Sequence, residues 1–350
     1  MSDNSLTLIL KNSLNILLIN KVKTALIGVI VLAGNYLAAI FFNGVEAIYQ
    51  GHALSLELWP EISTVSILSF APAGALGVIG FAFLLEANVL GWKKSSLKKA
   101  LESKTTSIKT DWFYALLYAS NIAVILGYLF TLGVGYHYSG KVKMALDISL
   151  LADANPGVGF LTLLLANSLT FYIFHRIAHT GFFWELHKSH HSADDLVIIT
   201  NFRNHPLDIG IRSIFYAIPA AVLGVPPLVV IAYQLFSGFI VLMQHTPMDW
   251  NMPIIEKYFF IGSKGHRIHH SRSEEHNNKN LGYLVLWDWV FGTLCKTDDK
   301  IIIGIDDQED LKHIHRTPNM ARLLWGVYTE ALQAFFAQCF VTLGLKKPAL

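Results

Sequence analysis

The stretch VGFLTLLLANSLTFYIFHRIAHTGFFWELHKSHHSADD, residues 158–195, runs from an uninterrupted apolar block into a knot of imidazoles, with three histidines in the five positions from His187 to His191. The apolar half asks for a bilayer, and the polar half asks why so many titratable rings stand at its edge. The rest of the chain answers the first question. Of 350 residues, 53% are hydrophobic and only 15% charged, where soluble domains carry about a quarter charged residues. The excess falls in blocks: Thr24 to Phe42, Val65 to Gly91, Trp112 to Val134, Val158 to Phe174 and Ile209 to Gln244. About 20 apolar residues cross a bilayer core of about 30 Å, which the first four blocks satisfy or approach. The fifth is interrupted by Pro226 and Pro227. Its two legs of about 17 residues, roughly 25 Å each, predict a short helical hairpin or re-entrant pair that returns the chain to its starting side.

Lysine and arginine give the orientation. The loop from Lys93 to Lys109 holds six lysines, whereas the segment 43–63 has no basic residue and carries Glu46, Glu57 and Glu61. The positive-inside tendency puts the first loop in the cytoplasm and the second outside. Lys11, Lys21 and Lys23 place the N-terminus inside as well. Counting crossings then brings both histidine-rich regions to one cytoplasmic face, although about 75 largely apolar residues separate them. Met1 to Asn20 lacks a basic start and a small-residue cleavage site, so no cleavable secretory signal is expected, and its leucines suit an interfacial helix. Met320 to Leu345 predicts a further apolar helix, either interfacial or packed on the core. Cys295 and Cys339 form no pattern and read as two thiols. No basic, aromatic-interleaved segment argues for nucleic acid. The expected fold is an all-α integral membrane protein of about four transmembrane helices plus a short helical hairpin, with a cytosolic helical cap carrying a histidine-rich dimetal site.

Eleven of the fifteen histidines lie between His175 and His276. His175 and His179 are four apart; His187, His190 and His191, and again His266, His269 and His270, follow a three-plus-four spacing that stacks side chains on one helical face. Each group can aim its rings at a common point. His205 stands in FRNHPLD, and His245 closes the last apolar block. His52, His137, His313 and His315 are isolated and read as ordinary interfacial residues. A histidine-rich metal buffer belongs in low-complexity sequence, and acid–base catalysis needs one or two histidines. Clustered neutral imidazoles point to metal, and eight or nine exceed one zinc by a factor of two, so two metals are implied. Imidazole suits zinc, copper, iron and nickel alike. A transporter would string ligands along a path through the membrane, whereas these sit at helix ends on one side, which suits chemistry on a lipid. A non-redox zinc protein, a hydrolase or metal carrier, is the alternative.

HRIAH at 175–179, HKSHH at 187–191 and HRIHH at 266–270 resemble the three histidine boxes of the fatty acid hydroxylase, or sterol desaturase, superfamily of membrane di-iron oxygenases. HHS followed by FRNHPLD, and NKNLGYLVLWDWVFGT at 278–293, resemble the words that flank those boxes. The resemblance covers roughly Ser168 to Thr293. It implies two irons, replaceable by zinc in a purified protein, that use dioxygen to attack an unactivated C–H bond, hydroxylating or desaturating a lipid. Carried over by position, the metal ligands are His175, His179, His187, His190, His191, His266, His269 and His270, with His245 as the ninth. Asp194 occupies a place where related ether-lipid monooxygenases carry a carboxylate, and is expected as a ligand or base. His205, Asp208, His276 and Asn280 are expected to orient the ligands. Leu281 stands in place of the usual aromatic residue, and Asp249, where some acyl hydroxylases have a second histidine, favours a sterol, carotenoid or ether lipid over a sphingolipid acyl chain. Electrons are expected from an external donor such as cytochrome b5, a ferredoxin or a reductase, because the chain has no dinucleotide motif, Cys₄ cluster or cytochrome word. The expected domains are membrane-anchoring helices over 1–156, a catalytic domain over 157–300 and a helical tail over 301–350, in a bacterial inner membrane or endoplasmic reticulum.

Overall fold

The computed structural model describes residues 34, 77–131, 150–297, 299–306, 315, 317, 319 and 321–342, the side chains of 340–342 excepted. The expected helix over 1–20, the apolar block 24–42 apart from residue 34, the acidic segment 43–63, the first half of the block 65–91, and His52, His137 and His313 lie outside the described residues. The chain divides into two compact units, residues 1–69 with 116–122, and residues 70–115 with 123–350. In the first unit, residues 116–119 are helical and Ser120 and Asn121 form a turn. The second unit holds all three histidine boxes.

Helices carry the fold, and among the described residues extended pairing is confined to two antiparallel bridges, Phe260 with Leu284 and Ser271 with Ile303. In chain order the helices are α1 (Gly77–Leu90), α2 (Ser96–Glu102), α3 (Thr106–Ala119), α4 (Ile122–Phe130), α5 (Pro156–Ala178), α6 (Gly181–His191), α7 (Pro206–Leu223), α8 (Pro227–Gln244), α9 (Pro253–Tyr258), α10 (Ser263–His269), α11 (Val285–Val290) and α12 (Val327–Thr342). Among the described residues α5, α7 and α8 are each long and apolar enough to cross a membrane. The protein is a multi-pass, all-α membrane protein.

Local chemistry sets these boundaries. Asn155 caps α5 by accepting from Gly157 N–H at 2.9 Å, and Pro156 fills the first helical position. Proline also begins α7 and α8, where its fixed φ and missing N–H cost nothing. Between them Gly224 ends α7 in the left-handed conformation, φ 64°. The Pro226–Pro227 interruption is thus a hairpin turn between two 18-residue helices. The block 112–134, expected as a crossing, is bent: α3 and α4 are long and apolar enough to cross only as a pair and meet at 81°, with Asn121 at φ 57°. Hydropathy counts apolar residues and is blind to one left-handed asparagine. On the far side of the break, α4 meets α7 through glycine. A Cβ at Gly127 would lie 2.7 Å from Pro206 O, and one at Gly210 would lie 2.5 Å from Gly127 O. That backbone approach is the small-residue packing by which apolar helices associate in lipid.

The C-terminal helix is packed on the core. A π-helical turn, Arg322–Gly326, leads into α12, whose Val327 and Ala331 are buried against Leu186 of α6 and Leu207 of α7. Hydrophobic burial therefore clamps the second histidine box from behind.

Candidate metal centre

Four helix ends deliver the nine expected ligands. His175 lies in the last turn of α5 and His179 caps it. The second box forms the C-terminal half of α6, the third occupies α10 and its cap, and His245 caps α8. These histidines form two groups. His175, His179, His187, His191 and His269 offer nitrogens all within 4.8 Å of one another, and His190, His245, His266 and His270 do the same. The boxes therefore do not each converge on a single point, as their spacing suggests. Rings four apart on a helix, His187 with His191 and His266 with His270, stay together, and the intervening His190 and His269 serve the other group. Consecutive residues diverge by about 100° around a helix axis, which is why His190 and His191 part. The groups adjoin: the rings of His191 and His270 stack with centroids 4.3 Å apart.

The geometry fits metal ions. Nε2 of His175 and His187 are 3.0 Å apart. In the second group His245 Nε2 lies 3.2 Å from His190 Nε2 and 3.1 Å from His266 Nε2, which is itself 3.1 Å from His270 Nε2. Ligands at right angles around an ion, each about 2.1 Å from it, stand roughly 3.0 Å apart. Three of the nine histidines, 179, 191 and 269, also bury an Nε2 with no hydrogen-bond partner in the protein. Each such atom costs about 1–3 kcal/mol, a debt that coordination removes.

Backbone carbonyls aim three of the rings. His175 Nδ1 donates to Leu281 O at 2.6 Å, His245 Nδ1 to Val241 O at 2.8 Å, and His269 Nδ1 to Lys279 O at 2.9 Å. Each bond fixes the tautomer that leaves Nε2 as a lone pair facing the group. Burial, reinforced by neighbouring imidazoles, holds His179, His187, His190, His191, His266 and His270 well below the usual histidine range. Burial brings His245 and His269 down to about 4 against their backbone bonds. At neutral pH these rings are uncharged bases, the form that binds metal.

The flanking words supply the scaffold. Asp288 accepts from Leu281 N–H and Gly282 N–H, both at 2.8 Å, and from Thr293 Oγ1 at 2.7 Å. It thereby braces the loop whose Leu281 carbonyl holds His175. A Cβ at Gly282 would lie 2.9 Å from Asp288 Oδ2, so this loop needs glycine. Asn280, in the left-handed region at φ 52°, ties the loop to α10 through Gly265 O and to Cys295 through both amide atoms. It positions the third box without touching a cluster ring. Arg203 is fully buried and spends its guanidinium on Asp111 Oδ1 (3.0 Å), Ser189 O, Ser192 Oγ and His315 O. It locks the end of α6 in place. Glu86, also buried, accepts from Ser96 and from Thr246 Oγ1, next to His245. Sequence reasoning missed Arg203, Glu86, Asp288 and the three carbonyls; FRNHPLD and WDWVFGT carried the signal for Arg203 and Asp288, but their partners are distant in sequence.

Four expected residues fall elsewhere. Asp194 is exposed and outside both groups; its N–H donates to Ser107 Oγ at 3.2 Å. The chain leaves α6 at Ser192, so Asp194 no longer shares the helical face of the box. His205 is a structural strut: Nδ1 accepts from Leu207 N–H to cap α7, and Nε2 donates to Leu324 O at 3.0 Å. Asp208 faces Arg212 at 3.8 Å, and His276 pairs with Ser271 Oγ at 2.9 Å; neither bonds a cluster ring. A third convergence, Glu185, His315 and Glu330, has its own cation, because Lys188 Nζ lies 2.7 Å from Glu185 Oε2.

Residues 160–293 match the family model described as fatty acid hydroxylase. This segment of the chain is similar to the fatty acid hydroxylase family. The matching segment is similar to alkylglycerol monooxygenase of Homo sapiens, 34% identical over 137 residues, which is 39% of this chain and 30% of that protein. The Danio rerio protein of the same name is 32% identical over 143 residues, covering 40% of this chain and 31% of its own length. The Caenorhabditis elegans protein is 31% identical over 144 residues, 40% of this chain and 28% of its own. The match thus spans about a third of the length of these curated relatives. No solved structure matches the chain.

Proposed function

We propose that this hydroxylase is a di-iron oxygenase that inserts one oxygen atom into a C–H bond of an alkylglycerol-type ether lipid at the cytoplasmic membrane surface. The observation that carries the reading is the division of nine imidazoles into adjoining groups of five and four, all neutral and several aimed by backbone bonds. His175, His179, His187, His191 and His269 would hold one iron, and His190, His245, His266 and His270 the other. Iron bound there supplies reductive activation of dioxygen and attack on an unactivated C–H bond. The net change is substrate, dioxygen, two electrons and two protons to alcohol and water, with the electrons from an external protein donor. Residues 157–300 form the catalytic domain.

The chain's own contribution is position and exclusion of water. Burial keeps the rings unprotonated, Asp288 fixes the loop that carries the Leu281 carbonyl, and Arg203 fixes the end of α6. An open apolar groove of about 840 Å³ is lined by Thr180, next to His179 in sequence, and by Phe182, Phe183, Leu332 and Phe335 among others. That volume suits a lipid chain. The names of the relatives favour the ether-lipid class. The cytoplasmic side is supported by contact as well as by charge counting: Lys99 pairs with Asp195, and Ser107 bonds Asp194, so the lysine-rich loop abuts the end of the second box.

The test is metal analysis of anaerobically purified full-length protein, followed by incubation with an alkylglycerol, a reductant and dioxygen. About two irons per chain and a product heavier by one oxygen support the reading. Tightly held zinc with no oxygen consumption would establish the non-redox alternative. Product lighter by two hydrogens would make the enzyme a desaturase on the same ligand set.

A further inference from the structure

The cap exposes apolar surface where a water-facing cap would not. Ile254 (69% exposed) and Tyr258 (60%) on α9, and Trp289 (70%) on α11, stand out with Phe259 and Phe291 beside them. The two short helices are one surface. Phe260 bridges Leu284, with Ile261 N–H donating to Tyr283 O and Val285 N–H to Phe259 O, each at 3.0 Å.

Their height relative to the spans follows from side-chain contacts. Phe291 stacks on Tyr172 of α5 with centroids 4.9 Å apart, and Trp287 Nε1 donates to Ser168 Oγ at 2.8 Å. Ser168 is ten residues before Ala178, the end of α5, or roughly 15 Å along the axis. On α8, Tyr283 OH meets Tyr233 OH at 3.2 Å and Phe260 packs on Phe236. Phe236 is eight residues before Gln244, about 12 Å. The outward side of α5 changes from apolar Ile173 to Arg176 between these levels, which marks the edge of the hydrocarbon. The α9–α11 surface therefore begins below that edge and reaches past it. Its composition fits the level: Trp and Tyr prefer the headgroup layer, and Lys257, whose Nζ lies 4.9 Å over the Tyr258 ring, can keep its charge in water while its stem lies on apolar surface.

We propose that α9 and α11 form a platform seated in the headgroup layer of the bilayer that α5, α7 and α8 cross, and that phospholipid covers Ile254, Tyr258 and Trp289. The occupant is lipid because the surface is continuous with the lipid-facing sides of two spans and has the aromatic and lysine pattern of an interface. The metal centre then hangs from an element fixed in depth, since α9 leads into α10 and α11 into the Asp288 brace.

Spin labels on single cysteines test the proposal in full-length protein, with Cys295→Ser and Cys339→Ser as background, reconstituted in phosphatidylcholine vesicles containing a minority of phosphatidylglycerol. Ile254→Cys, Tyr258→Cys and Trp289→Cys are compared with Glu275→Cys on the exposed cap. The expected result is a ratio of oxygen to water-soluble nickel-chelate accessibility at least several-fold higher at the three platform sites. Nickel access equal to that at Glu275→Cys would mean that water covers the surface and would overturn the proposal. Loss of access to both quenchers with spin–spin broadening would mean that a second copy covers it, which would overturn it equally. All four positions are exposed, so the fold is retained, and the depth measurement is independent of enzymatic activity.

Discussion

Replacing Asp288 with asparagine tests whether a residue that touches no cluster histidine controls one of them. The carboxylate takes three hydrogen bonds, from Leu281 N–H, Gly282 N–H and Thr293 Oγ1, at 2.7–2.8 Å. Asparagine retains one oxygen, enough for Leu281 and Thr293, and turns an amide N–H₂ toward Gly282 N–H. One charge-assisted bond is lost and a buried donor is left unpaired, so about 2–4 kcal/mol of stability should disappear. The loop then loosens at the Leu281 carbonyl, which holds His175 Nδ1 at 2.6 Å. Loss of such an orienting partner weakens metal binding by about 10–100-fold. Thermal denaturation in detergent reads the first effect, and iron retention against a graded chelator reads the second. A variant with a lowered melting temperature but wild-type iron retention would refute the chain of influence from Asp288 through Leu281 to His175.

Three further outcomes follow from the same structure. Arg203→Met strands the Asp111 carboxylate, with both side chains fully buried, and should cost about 3–5 kcal/mol; Arg203→Met combined with Asp111→Asn should recover part of that in the same melting assay. His190→Ala and His187→Ala remove ligands from different groups, so each should lower iron from about two to about one per chain by elemental analysis, whereas equal loss of both metals would argue against two separable groups. His205 is held down to about 4 by burial. Because an unfolded histidine titrates near 6.5, the unfolded chain binds more protons below that pH. The stability that neutral His205 contributes is complete above about 6.5 and is lost as pH falls toward 4. It amounts to roughly 3 kcal/mol, and a His205→Gln variant should show a flatter fall in melting temperature over that window.

Periodicity and composition made the apolar hairpin and the nine histidines legible, because a span and a helical box are both local patterns. The structure brings all nine together, and the relatives match the same segment. Partition between the two groups was less legible: spacing alone suggests that His187, His190 and His191 share a target, and only the placement of α10 and His245 shows which ring turns away. Asp194 illustrates another limit, since a position matched to related monooxygenases does not fix where the side chain lies once the helix stops at Ser192. Carbonyl partners have no residue signature at all. Arg203 looked like part of a motif, but its role depends on Asp111, 92 positions earlier. The bend between α3 and α4 escaped for a different reason, because hydropathy averages over the residue that makes it.

His190 and His191 are consecutive, and so are His269 and His270, yet each couple is divided between the groups. Neighbouring Cα atoms are held about 3.8 Å apart by the peptide unit. The separation of the two groups is therefore gauged twice by covalent bonds, once on α6 and once on α10. Changes in bilayer thickness, or breathing of α12 against the core, can reshape the walls around the centre while leaving that gauge unchanged. A single-residue insertion within either couple would do what no rigid-body motion does, and change the interval itself.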